Sequence, residues 1–285
     1  MNPSSHSRGY TLLEVLVALT LASVLAAAAF TVFFNSQKAT GRVTRVIENR
    51  QNSRTAIQLL ERDLRMAGSG WGRVELDGCY NGAPLAVPAI QPWYGGSDMA
   101  SDSIGIMGGW DQVTTLRSPM ANTSSTISVV NTAGFSVNDF VVVTNAQSAH
   151  LFQITGITAP PYDIAHATTS PYNVSGGHVN WPAGGYKIGA KVYRATWVSY
   201  KVDTTSAKRQ MLVRWEQSKA PQVVAYDISQ FTVAYMLQDS SLTRNPDDIT
   251  MIEQVHPVLS MKTAGAAVNT SIADSSWAMV KPRSY

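Results

Sequence analysis

The chain reads as an α+β protein: a long N-terminal α-helix packs on a C-terminal, mostly antiparallel β-sheet domain. Three observations predict this. No proline occurs between Tyr10 and Met66. Apolar residues recur there at helical spacing, first as a continuous run and then as a stripe. Beyond Gly70 the pattern changes to short apolar runs separated by Gly, Pro, Asn, Ser and Asp, with no further helical period.

The first helical half, residues 10–34, is built around Val15 to Phe34, a 20-residue run with no charge and only Thr20, Ser23 and Thr31 as mild polar breaks. At ~1.5 Å per residue it spans ~30 Å, the thickness of a bilayer's hydrocarbon core. Glu14 stands at its edge, where a carboxylate costs up to roughly 3 kcal/mol at a helix centre and less near an end. The second half, residues 35–67, is amphipathic. Val43, Val46, Ile47, Ile57, Leu60 and Leu64 alternate with Arg42, Arg45, Arg54, Glu61 and Arg65, and the charged face reads as solvated. Gly41 is a weak point worth ~1 kcal/mol relative to alanine. Gly68-Ser69-Gly70 supplies the stop. A helix from Tyr10 to Met66 would reach ~85 Å. The ~215 residues beyond it make a body of radius of gyration ~17 Å, able to cover only the C-terminal half. The apolar half is therefore expected in a membrane or among neighbouring helices.

Strands are expected at Ser103–Met107, Gln112–Leu116, Thr126–Asn131, Asp139–Thr144, Leu151–Ile157, Ala190–Lys201, Gln210–Trp215, Ser229–Leu237 and about Met251–Met261, all within residues 68–285. In "FTVAYML", Phe231, Val233, Tyr235 and Leu237 share one face. Long loops are expected over Tyr80–Asp102 and Thr168–Tyr186, and a turn at Arg244–Asp248.

Three readings of the N-terminus compete. One is a plain signal anchor. Another is a secretory signal, because Ala26-Ala27-Ala28 fits a small-x-small cleavage site, although Glu14 lies inside the apolar region and apolar residues resume with Phe30. The third rests on "RGYTLLEVLVALTLA", which resembles the processing motif of type IV prepilins and pseudopilins. That resemblance implies a leader of residues 1–9, cleavage after Gly9, N-methylation of Tyr10 and an assembly role for Glu14. Tyr10 stands where the family more often has phenylalanine. Lys38, Arg42, Arg45, Arg50 and Arg54 follow the span, against Arg8 before it. The positive-inside rule alone would place the bulk of the chain in the cytoplasm. The resemblance implies a periplasmic C-terminal domain instead.

The body also carries segments similar to PilW-family minor pilins: "ERDLRMAG" (Glu61–Gly68), "VNDFVVVTNAQSAHLFQITGI" (Val137–Ile157), "GAKVYRATWVSYKVD" (Gly189–Asp203) and "VVAYDISQFTVAYML" (Val223–Leu237). The resemblance implies a single-pass protein of the bacterial inner membrane that moves into a pilus. Its partners would be other minor and major pilins, the prepilin peptidase/N-methyltransferase and the inner-membrane assembly platform. It further implies that Glu14 meets the free N-terminal amine of a neighbouring subunit. A minor pseudopilin of type II secretion is similar in outline. A membrane-tethered adhesin, recognising a ligand through loops around Trp93 and Trp181, is the rival from another class.

An enzyme is not expected, and no cofactor is called for, since HExxH, GxSxG, CxxC and GxxxxGK[ST] are all absent. "GGYKIGAK" (Gly184–Lys191) is a near miss for a phosphate loop and reads as a turn entering a strand. His150, His166, His178 and His256 lack metal-ligand spacing. Asp98, Asp102 and Asp111 gather in an oxygen-rich stretch that lacks EF-hand spacing, leaving ordinary turn residues or calcium as readings. The sole cysteine, Cys79, excludes an intrachain disulfide; an idle thiol and an intermolecular bridge both remain open. Trp71, Trp93, Trp110 and Trp181 lie near expected loops, as a contact surface or as buried anchors. With 22 Lys+Arg against 19 Asp+Glu, the net charge of +3 gives no nucleic-acid footprint.

Overall fold

The computed structural model describes residues 11–72, 74–96, 101–145, 147–174, 176–205, 210–217, 219–261 and 274–282. The chain divides into two compact units, residues 1–48 and 49–285. Helix α1 (Leu12–Arg65) is a single α-helix of 54 residues. In the first unit every described residue from Thr11 to Arg45 is exposed, and the polar side chains of the apolar run turn back on their own helix. Thr20 and Thr31 donate to the carbonyls of Val17 and Ala27, both at 2.9 Å, and Ser23 donates to that of Thr20 at 2.7 Å. No side-chain hydroxyl is thereby left needing water, which suits an apolar surrounding.

The second unit holds sixteen strands among the described residues, in three sheets. The largest comprises β1 (Leu76–Tyr80), β2 (Ala83–Val87), β3 (Ile90–Trp93), β4 (Ser103–Thr115), β6 (Phe140–Thr144), β7 (Ala149–Gln153), β10 (Lys191–Asp203), β11 (Met211–Glu216) and β12 (Gln222–Tyr226). A three-stranded sheet pairs β5 (Ile127–Ser128), β9 (Asp163–Ala165) and β8 (Gly156–Thr158). The third runs β14 (Leu242–Thr243), β13 (Ile228–Leu237), β15 (Ile252–Met261) and β16 (Asp274–Trp277). Pairing among the described residues is antiparallel except between β1 and β7. Strand β10 is the spine: along one edge it pairs with β4, and along the other first with β6 and then with β11.

Three apolar clusters fill the unit. The largest joins Ile57, Leu60 and Leu64 of α1 to Ile104, Val198 and Leu212 of the large sheet and to Phe231, Val233 and Tyr235 of β13. The face expected for "FTVAYML" is thus the buried one, with Leu237 half-buried at its end. Strand β6 is buried on both faces, sending Val141 and Val143 to one cluster and Val142 to another. A continuous "VVV" suits such a strand better than strict alternation.

Differences from the sequence-based reading have physical causes. The expected stripe on α1 divides: Val43 and Ile47 remain exposed, and burial begins at Ser53. The expected loop from Tyr80 to Asp102 contains β2 and β3. Pro84 and Pro92 obscure them, yet each strand pairs on one side, β2 with β1 and β3 with β4, where a missing N–H is tolerated. The two strands expected at residues 103–107 and 112–116 are one, β4, interrupted in register rather than ended. Its Gly108 is required, because a Cβ there would lie 2.6 Å from the Met66 carbonyl oxygen at the end of α1. Strands β1, β9, β12, β14 and β16 are additional, and the single strand expected over Leu151–Ile157 divides into the end of β7 and the start of β8.

The junction of α1 with the sheets is polar at its centre. Asp63, on the buried face of α1, accepts from Arg214 Nε at 2.8 Å and from the Tyr200 hydroxyl at 2.7 Å. Arg214 also donates to Glu216 at 2.9 Å and lies over the Trp110 ring at 5.9 Å. Burial opposes the guanidinium charge, but hydrogen bonds to Asp63 and Glu216 outweigh it and hold the Arg214 pKa above its ordinary value. About three turns earlier on α1, Ser53 and Ser276 of β16 share a 2.7 Å hydrogen bond. Asp63→Ala leaves Arg214 and Tyr200 buried without their acceptor, and a loss of roughly 3–5 kcal/mol is expected. Urea unfolding of the full chain in detergent, followed by tryptophan fluorescence, measures it.

Candidate functional site

The N-terminal end of α1 holds the one predicted site residue that the structure describes. Gly9 and Tyr10 lie outside the described residues, while Glu14 occupies the first turn of the helix. It is not unpartnered there. The Glu14 carboxylate oxygen Oε2 accepts from the Thr11 backbone N–H at 3.2 Å and from the Thr11 hydroxyl at 3.3 Å. The Glu14 N–H in turn donates to Thr11 Oγ1 at 3.2 Å. This reciprocal pair is a capping box, with Thr11 as N-cap and Glu14 three residues on. The negative charge also lies at the positive end of the helix dipole. The signature T-L-L-E, which spells the box, stands in the sequence at residues 11–14 and identifies Thr11 as a partner of Glu14 that the reading above missed.

Beyond Glu14, α1 is long and apolar enough to cross a membrane, and none of that stretch is buried within the described structure. Residues 4–30 match the family model for the prokaryotic N-terminal methylation motif. The match indicates a type IV pilin-like or pseudopilin precursor, a class of structural subunits that associate with other pilins and are processed by prepilin peptidase. Neither a curated protein nor a solved structure matches the chain.

The other candidates separate on inspection. Asp98 and the side chain of Asp111 lie outside the described residues. Asp102 is buried and its oxygens face inward: Arg244 donates at 2.8 and 3.2 Å, and the N–H groups of Gly95 and Val233 at 2.9 and 2.8 Å. "GGYKIGAK" forms turns leading into β10, with Gly184, Gly185 and Gly189 at positive φ. The four tryptophans make no common surface. Trp71 is buried in one cluster, Trp181 packs against another, Trp110 packs against the largest, and Trp93 stacks edge-on with Trp197 at 6.1 Å.

Histidines scattered in the sequence converge in space. Phe152 has His166 on one contact and His178 on another, at ring-centre distances of 4.6 and 4.5 Å. His150 lies 6.0 Å from His178 and 4.6 Å from Trp181. Nε2 of His150 meets the Val179 carbonyl and Nδ1 the Tyr186 hydroxyl, both at 2.7 Å, so Nε2 carries the proton and Tyr186 donates. His166 Nε2 donates to the Ser125 carbonyl at 2.8 Å. Among the described residues no three His, Cys, Asp or Glu side chains are grouped to hold a metal. Burial holds all three imidazoles below the ordinary histidine range; for His178, burial and then the nearby His150 and His166 push the pKa down to about 4.

Two measurements follow from this geometry. Thr11→Ala removes the hydroxyl that accepts from the Glu14 N–H, while the Thr11 N–H keeps its bond to Glu14 Oε2, at a cost of ~1 kcal/mol read as faster amide exchange in the first turns of α1. An imidazole with a lowered folded pKa binds its proton more readily in the unfolded chain. Stability is therefore fully present above pH 6.5 and falls as pH drops from 6.5 toward about 4. His178 alone contributes on the order of 3 kcal/mol across that window. Urea midpoints between pH 7.5 and 5 measure the slope, and it is expected to be shallower in His178→Phe.

Proposed function

We propose that the chain is a minor pilin that joins the tip or initiating complex of a type IV pilus. Residues 1–9 are the leader, removed after Gly9 by the prepilin peptidase, which then methylates Tyr10. Residues 10–34 anchor the precursor in the inner membrane and later enter the filament's helical bundle. Residues 35–67 continue the helix, and residues 68–285 form the pilin domain in the periplasm. The supporting observation is the methylation motif at residues 4–30, overlapping a helix whose apolar run is not buried among the described residues. An apolar surface of that length needs lipid or other helices around it. The similarity of Glu61–Gly68, Val137–Ile157, Gly189–Asp203 and Val223–Leu237 to PilW-family proteins supports a minor pilin over a type II secretion pseudopilin.

In this reading Glu14 also pairs with the N-terminal amine of an adjacent subunit, which sets axial register between neighbours. The capping box provides a way to separate that role from helix capping. Glu14→Gln keeps an N3 side chain able to accept from Thr11 N–H but removes the charge. Processing is expected to be intact in Glu14→Gln and Glu14→Ala, and incorporation into pili is expected to fail in both. Assembly of Glu14→Gln at the unsubstituted level would refute the pairing. N-terminal sequencing with mass measurement of the mature chain tests the class as a whole: a methylated Tyr10 start supports it, whereas a start near Ala29 or an intact Met1 overturns it. Loss of secretion rather than of pili on deletion would assign the chain to type II secretion.

A further inference from the structure

Residues 176–181 lie across both the histidine cluster and the chain's single thiol. Gly177 is pressed against Cys79, so closely that a Cβ there would stand 2.3 Å from Sγ. The carbonyl oxygens of Pro171 and Val174 lie 3.8 and 3.6 Å from the same sulfur, and Cys79 is 1% exposed. The start of this connection is fixed to β7. Asn173 and the Gln153 backbone exchange hydrogen bonds of 2.8 and 2.7 Å, and the Ser170 hydroxyl donates to Gln153 Oε1 at 2.6 Å. Residues 176–181 are held differently. Among the described residues, the side-chain hydrogen bonds that hold them are His150 Nε2 to the Val179 carbonyl (2.7 Å), Asn180 Nδ2 to Asp77 Oδ1 (3.3 Å) and Trp181 Nε1 to the Ala121 carbonyl (3.0 Å), beside a backbone bond from the Gly177 N–H to the Val174 carbonyl (3.1 Å).

His178 sits in the middle of this segment, 8% exposed, with neither ring nitrogen hydrogen-bonded to a described residue. The Tyr172 backbone is near, outside good hydrogen-bond geometry. As a neutral ring His178 acts as an apolar filler on Phe152. As an imidazolium it would bury a charge together with two unsatisfied donors, a cost of several kcal/mol. The groups around it do not relieve that cost. His150 and His166 are themselves imidazoles that gain positive charge in acid. Asp77 of β1 lies 3.9 Å from His150 Nε2, not beside His178, and already accepts from Asn180. Tyr186 donates its phenolic proton to His150. Strand β9, which leads into His166, begins with Asp163, engaged by Arg117 at 3.9 Å and by the Ser128 hydroxyl. The least costly response is for His178 to move out to water, and Gly177, its chain neighbour, moves with it.

We propose that residues 176–181 form an acid-released flap: protonation of His178 expels it from the Phe152 contact and uncovers the thiol of Cys79. The chain then carries a modifiable sulfhydryl in acid and a sealed one near neutrality, without unfolding its sheets. Because Cys79 is the only cysteine, its reactivity reports the flap directly.

The test uses the full chain in detergent and 4,4′-dithiodipyridine, a thiol reagent active in acid. The rate at Cys79 is measured from pH 7.5 to 4.5, divided by the rate of glutathione at the same pH, with far-UV circular dichroism in parallel. The expected result is a rise of at least about tenfold in the normalised rate toward pH 4.5 while the dichroism is unchanged. His178→Phe retains an aromatic contact on Phe152 and cannot be charged, so its rate should stay flat. Hydrogen exchange of residues 176–181 in the unsubstituted chain gives the same readout without a substitution, protection being lost there before it is lost in β10. A flat normalised rate, a rise that only accompanies loss of dichroism, or an undiminished acid response in a folded His178→Phe would each overturn the proposal.

Discussion

The buried carboxylate of Asp63 is the constraint around which the second unit is organised. Apolar contact between a helix and a sheet is non-directional, and Ile57, Leu60 and Leu64 would tolerate several rotations of α1. A buried charge does not. Asp63 must find Arg214 on β11 and Tyr200 on β10, and only one rotation and one axial setting of the helix brings it to both. Leaving it unpaired would cost more than a well-packed apolar face could restore. The Ser53–Ser276 contact and the close approach of the Met66 carbonyl to Gly108 fall into place once that setting is fixed.

Much of this was legible in the sequence because the signals were long or repetitive. A proline-free run with 3.6-residue spacing and a Gly-Ser-Gly stop specify α1 to within two residues at its start and one at its end. Alternation in "FTVAYML" fixed the buried face of β13. What escaped the reading depends on partners distant in sequence. Pro84 and Pro92 are legible as strand residues only once β2 and β3 are known to pair on one side. Gly108 resembles a break until the end of α1 is seen beside it. Asp63 has no local signal of burial, since nothing near it in the sequence announces Arg214 some 150 positions later. At the N-terminus the motif residues were legible and the capping box could have been, because T-L-L-E is a local pattern. The histidine cluster had no sequence signature, since its three members come from the residue after β9, the second residue of β7 and a connection.

The two units solve opposite problems. In the second unit the buried polar groups of Asp63, Asp102 and His150 are met by partners within the same unit, His178 being an exception. The apolar run of α1 in the first unit has satisfied only its backbone and hydroxyls, and its Leu, Val and Phe side chains face outward. A surface of that kind defines its surroundings by exclusion: water is unsuitable, and lipid or other apolar helices are suitable.

Glu14 shows how one side chain can belong to both arrangements. The capping box uses Oε2 alone, for both the N–H and the hydroxyl of Thr11, and Oε1 has no partner among the described residues. A carboxylate offers about four lone-pair sites, so one oxygen can close the helix while the other remains open to a cation. In the proposed pairing, intrachain order and contact with a second molecule would draw on separate atoms of the same group. Under that proposal the helix would not need to fray for Glu14 to meet a neighbour's amine, and the first turn would stay intact as neighbours change.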